Sequence, residues 1–109
     1  LRGSQGSLET SQAVMQTNAI MEAMRANRVR ATDYNTGAMV CTAGAAGTLA
    51  QTDLRSWIMA LKVAIGNAAD ATTCGQIAGC PDACVVTVQW DDQRAGGGTT
   101  RQVVTETRI

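Results

Sequence analysis

Four cysteines, Cys41, Cys74, Cys80 and Cys84, are the residues of this chain best suited to chemistry, and no histidine accompanies them. Without His the commonest general base and the commonest metal ligand are both missing. A serine triad therefore lacks its base, and a cysteine nucleophile lacks the partner that would activate it. The cysteines are spaced by 33, 6 and 4 residues, with no CxxC pair. Thiolate zinc sites usually present two close knuckles of that kind. An even number of cysteines in a small domain reads instead as a disulfide framework, which implies an oxidising compartment, the periplasm or the cell exterior. Closing a loop of ~30 residues would contribute roughly 3–4 kcal/mol in the chain-entropy model.

The remaining chemistry is thin. Asp91-Asp92, assisted by Asp82, could be imagined around Ca²⁺, but calcium wants six to eight oxygens and no loop of that pattern is written here. An acidic turn at a strand end is the ordinary reading. The glycines at 96–98 lead from one β-like run into another and open no helix, so they make no phosphate loop. The expectation is a protein that is not an enzyme and carries no cofactor and no metal.

Composition narrows the partners. Nine basic and nine acidic residues cancel, and the only aromatics are Tyr34, Trp57 and Trp90. Such a chain has neither the field nor the stacking platforms that nucleic acid requires. At 109 residues it is one domain, small enough to need extra ties. No run of eighteen apolar residues and no signal peptide is written in it, so export would be directed by a segment upstream.

These features have to be positioned by a few elements. Residues 1–7, LRGSQGS, read as an expression-tag remnant, and 8–109 as a single domain. From Leu8 to Arg30 the periodicity predicts a helix, with Ala13, Thr17, Ile20, Met21 and Met24 on one face and Val14 at its edge. Arg25, Arg28 and Arg30 would gather at its carbonyl end. Ala31–Gly47 has no sustained period and reads as a long loop pinned by Cys41.

Thr48 and Gln51 fit a capping box, with Thr52-Asp53 as an alternative start. Leu54, Trp57, Ile58, Leu61, Ala64 and Ile65 then form an amphipathic stripe that Gly66-Asn67 would stop. Cys84–Trp90 and Thr99–Ile109 alternate as β-strands, joined by the turn Asp91–Gly98, and a weaker strand around Ala71–Ile77 precedes them. The expected fold is α+β: an N-terminal helix packed against a three-stranded antiparallel meander, with a second helix between.

Several of these segments carry a family resemblance: Met24-Arg-Ala-Asn-Arg28 ending the first helix, a Cys-bearing loop, Asp53-Leu-Arg-Ser-Trp57, and Val86-Thr-Val-Gln-Trp-Asp-Asp92. In this order and spacing, over roughly Leu8–Ile109, the chain resembles the type IV pilus minor pilins of the PilV group. The resemblance implies a pilin-like fold in which this chain is the globular part, lacking the N-terminal hydrophobic helix. The leader, its cleavage site and the acidic residue near the mature N-terminus would lie upstream.

By the same resemblance the protein is a bacterial structural subunit. It would sit in the inner membrane, facing the periplasm, through that missing helix and pass to the extracellular pilus tip. Its partners would be other minor pilins, the major pilin and a tip adhesin, with which it forms a priming complex that starts assembly. Contact surfaces are expected at Ala31–Gly47, Gly75–Ala83 and Asp91–Gly98. The alternatives are a minor pseudopilin of a type II secretion system and, in another class, a Cys₄ zinc-binding interaction module. Four cysteines allow three pairings. Cys41–Cys74 with Cys80–Cys84 is the preferred one, because it ties the long loop to the sheet edge and closes a tight turn before the central strand.

Overall fold

A computed structural model describes residues 2–66, 71–91 and 100–109, with side chains described from residue 8 onward. Helix α1 spans Arg2–Ala26, a 3₁₀ segment Arg28–Tyr34 follows, and helix α2 spans Leu49–Ala64. Strands β1 (Cys74–Ala78), β2 (Cys84–Asp91) and β3 (Thr100–Thr107) complete the chain.

α1 differs from expectation at both ends. Its backbone is already helical at Arg2, ahead of the expected start at Leu8. At the other end the α-helix stops at Ala26 and does not reach Arg30. The Asn27 N–H is shared between the carbonyls of Ala23 (3.1 Å) and Met24 (3.2 Å), the bifurcated bond that tightens an α-helix into 3₁₀ geometry. Two 3₁₀ turns follow, broken by a kink at Arg30 (φ −115°), and they turn Ala31 and Tyr34 into the core. The first part of the expected loop is therefore helical. Of the three arginines only Arg25 lies in the last turn of α1. It bonds Glu22 at 2.8 Å in an exposed ion pair of little energetic weight.

The apolar stripe lies where its period predicts. Ala13, Thr17, Ile20, Met21 and Met24 are all buried, Val14 is exposed at the edge, and Glu9 extends the buried face one turn further. Thr17 meets the cost of a buried hydroxyl by donating to the Ala13 carbonyl at 2.8 Å.

α2 begins with the reciprocal bonds of a capping box: Gln51 N–H to Thr48 Oγ1 (3.2 Å) and Thr48 N–H to Gln51 Oε1 (2.9 Å). The alternative start at Thr52 is not used. Trp57, Ile58, Leu61 and Ile65 are buried, whereas Leu54 is half-buried and Ala64 exposed. Ile65 caps the helix by donating to Leu61 O, and Asn67 lies outside the described residues.

The sheet is an antiparallel meander in the order β1-β2-β3. β1 starts later than Ala71, at Cys74, and β3 ends at Thr107, where the chain leaves the ladder for the Pro81 carbonyl through the Ile109 N–H. Cys84, Val86, Val88 and Trp90 point into the core from β2, opposite Ile77 of β1 and Val103 and Thr105 of β3. The helices share one face of this sheet, α1 over β2 and β3 and α2 over β1. The expectation places the stripe of α1 against the sheet. It is shared, and α1 packs more extensively against α2, because α2 occupies the half of the inner face that a single helix leaves uncovered.

Candidate interaction surface: the disulfide-tied strap

Between Tyr34 and α2 the chain runs along the outer edge of β1 as a strap. Thr36 N–H donates to Ile77 O at 2.8 Å, and Thr36 Oγ1 accepts the Ile77 N–H at 3.1 Å. Val40 and Gly75 then exchange both backbone bonds, at 2.8 and 2.9 Å. Edge groups of β1 that would otherwise stay open are thus satisfied by a segment that is not itself a strand of the sheet. The Cys41 and Cys74 sulfurs lie 1.99 Å apart one residue beyond that bridge.

Two cations from α2 hold the far side of the strap: buried Lys62 donates to Cys41 O at 2.7 Å, and Arg55 donates to Gly44 O at 2.9 Å. Between strap and helix lies a cleft of about 320 Å³, lined by Thr36, Val40, Ala45, Leu54, Arg55 and Ile58 among others. From Gly44 to Thr48 the strap is exposed.

Gly75 is a spacing requirement here. A Cβ at this position would run into the ring of Trp57, so β1 can cross that ring only with glycine at the crossing. Trp57 anchors the core, as its place in the stripe suggests, and it is 3% exposed.

The entry to the strap is set by a polar node that sequence reasoning missed. Tyr34 Oη donates to Asp53 Oδ2 at 2.6 Å and accepts from Asn27 Nδ2 at 3.2 Å. This fastens the end of α1, the 3₁₀ segment and the first turns of α2 to one hydroxyl. Burial, reinforced by the Asp53 hydrogen bond, pushes the Tyr34 phenol up to about 12 from its ordinary 10.0. One residue on, Asn35 pairs with both backbone groups of Cys80, accepting its N–H (3.0 Å) and donating to its carbonyl (3.2 Å).

That second contact joins the strap to the β1–β2 turn. Gly79 has φ +81°, which suits glycine, and the Cys80–Pro81 peptide is cis. The sulfurs of Cys80 and Cys84 lie 2.09 Å apart, with Met24 Sδ 3.9 Å from the first of them. Of the expected contact segment Gly75–Ala83, Gly75–Ala78 is thus paired strand with Gly75 and Ile77 buried, and the exposed residues are Ala78, Gly79, Pro81 and Asp82. Of the expected turn Asp91–Gly98, only Asp91 falls among the described residues.

Of the imagined calcium ligands Asp92 lies outside the described residues, and the other two do not meet. Asp82 precedes β2 and Asp91 ends it, so about 20 Å or more of extended strand lies between them. Nor do the cysteines converge: no group of three or more potential metal ligands forms among the described residues. Asn27, Asn35 and Lys62 carry no motif of their own. Only Lys62, four residues after Ile58 on the buried face of α2, could have been singled out from its spacing.

The class that this geometry defines is an α+β domain with a strapped sheet edge, with two α-helices and three strands among the described residues. The chain matches no family model, no curated protein and no solved structure.

Proposed function

We propose that this domain is the globular part of a type IV pilus minor pilin of the PilV kind, a subunit that acts by shape and contact. The observation that carries the reading is the layering. One N-terminal helix keeps its buried stripe beneath a three-stranded meander, and a tied segment with a second helix fills the space between. The sulfurs meeting in pairs support an exported protein over a four-thiolate zinc module.

In this reading α1 continues upstream as an apolar helix. That helix holds the subunit in the inner membrane and later packs in the filament, while the domain faces other minor pilins, the major pilin and a tip adhesin. The strap from Gly44 to Thr48 and the turn residues Gly79, Pro81 and Asp82 are the contact surfaces, because they are exposed yet held by a rigid scaffold.

Fractionation of the source cells with an antibody to this domain tests the proposal. Recovery in the inner membrane and in sheared surface filaments, with filament loss on deletion of the gene, is the expected result. Recovery as a free periplasmic protein, with filaments unchanged in the deletion strain, would overturn it. Thiol titration of unreduced protein is a separate check. Four reactive thiols with stoichiometric zinc would return the zinc module to first place.

A further inference from the structure

Among the described residues β3 pairs only with β2, so its outer edge keeps a row of backbone donors and acceptors along eight residues. Monomeric proteins usually blunt such an edge with proline, charged side chains (lysine above all), an inward-pointing charge or a bulge. Thr100–Thr107 has no proline, lysine or bulge, and its only charges are Arg101, on the face of Trp90, and Glu106 on the other. The core also thins out there. Cys84, Val86, Val88 and Trp90 of β2 are buried, whereas Val103, Thr105 and Thr107 on the same face are half-buried. On the opposite face Val104 is 58% exposed.

We infer that β3 pairs antiparallel with β3 of a second copy of this chain, about a dyad that passes through Val104 normal to the sheet. Such a dyad keeps each face of the sheet with its like, so directly opposed residues must differ by an even number. With Val104 on the axis, Val103 opposes Thr105, Gln102 opposes Glu106 and Arg101 opposes Thr107. The strand is therefore complementary to itself. Valine meets valine at the centre, β-branched residues flank it, an amide meets a carboxylate, and no like charges stand opposite. Gln102 uses one amide hydrogen on Gln89 Oε1 (2.8 Å), which leaves the second for the carboxylate. Moving the dyad to Val103 would put Gln102 against Val104 and lose that pair, so the side chains fix the register.

The inference does not rest on the pilin reading. Because α1 is layered on the sheet, the dyad reverses its direction in the second copy. Two copies anchored side by side in one membrane through α1 could not pair this way, so the dimer and an α1 anchor exclude each other.

Site-specific cross-linking and sedimentation test it. Val104→Cys should form a covalent dimer in air, since its two copies sit across the axis. Gln102→Cys and Glu106→Cys should cross-link with each other when mixed and poorly alone. In sedimentation equilibrium the unmodified chain should dimerise with rising concentration. Val104→Lys should weaken the dimer about tenfold, and Gln102→Lys, facing Glu106, should tighten it about fivefold while Gln102→Glu weakens it by as much. A chain monomeric at every concentration, equal cross-linking at all three positions, or the same sign of shift for both Gln102 variants would each overturn the inference. A dimer of different register, or pairing only with an unlike strand, would do so too.

Discussion

The edge of β1 and the edge of β3 belong to the same sheet and are treated in opposite ways. β1 is short, is crossed by the Trp57 ring at Gly75, and is sealed by a strap that combines backbone pairs, a disulfide and a lysine. β3 is longer, regular and bare on its outer side among the described residues. The sealed edge draws on three separate stretches of sequence, and the open one on a single stretch. An edge covered in this way depends on the whole fold, whereas the open edge should tolerate change almost freely.

The largest effect should come from the sealed edge. Trp57→Ala removes the ring that α2 presses under β1 and should cost about 3–5 kcal/mol, read from urea denaturation. A loss below the cost of a surface change would remove Trp57 from the foundation of that edge. Next, replacing Cys41 and Cys74 together by Ser should cost about 2–4 kcal/mol and speed amide exchange at Val40 and Gly75, with β3 unchanged. A non-reducing peptide map should link Cys41 to Cys74. Linkage to Cys80 or Cys84 would break the comparison outright.

Tyr34→Phe should cost about 1–3 kcal/mol, because it strands Asp53 and Asn27 at the entry to the strap. Its pH signature has a definite sign. With the folded phenol raised to about 12 from 10.0, the native state keeps a proton that the unfolded chain loses. This contribution is fully present below pH 10 and is lost as pH rises towards 12. Tyr34 is the only tyrosine, so phenolate absorbance in native protein reads it directly; titration near the ordinary value would refute the node. Smallest of all, Val104→Thr on the open edge should change stability by less than about 0.5 kcal/mol. A large loss in the monomer would mean that this edge is not open.

Legibility followed the range of the interaction. The capping box at Thr48 and Gln51, the stripes of α1 and α2 and the alternation in β2 are local patterns, and each could be read within a few residues. The end of α1 was misjudged because Arg28, Val29 and Arg30 contain no breaker, and the 3₁₀ turn forms only when Ala31 and Tyr34 find a core to enter. The strap was read as a loop because its partners, Ile77 and Gly75, are about forty and thirty-five residues away and carry no signal of pairing. The Tyr34–Asp53 bond was missed for the same reason.

Hydrophobic period and capping chemistry, both short-range, determined on their own that this chain has two amphipathic helices and a β-rich end, and the even cysteine number pointed to covalent ties without fixing them. The tertiary structure alone decided how α2 divides the inner face of the sheet with α1, which sheet edge is sealed and which is left bare. Those outcomes depend on where distant backbone groups meet, and an amide or a carbonyl looks the same at every position of a sequence until folding brings it a partner.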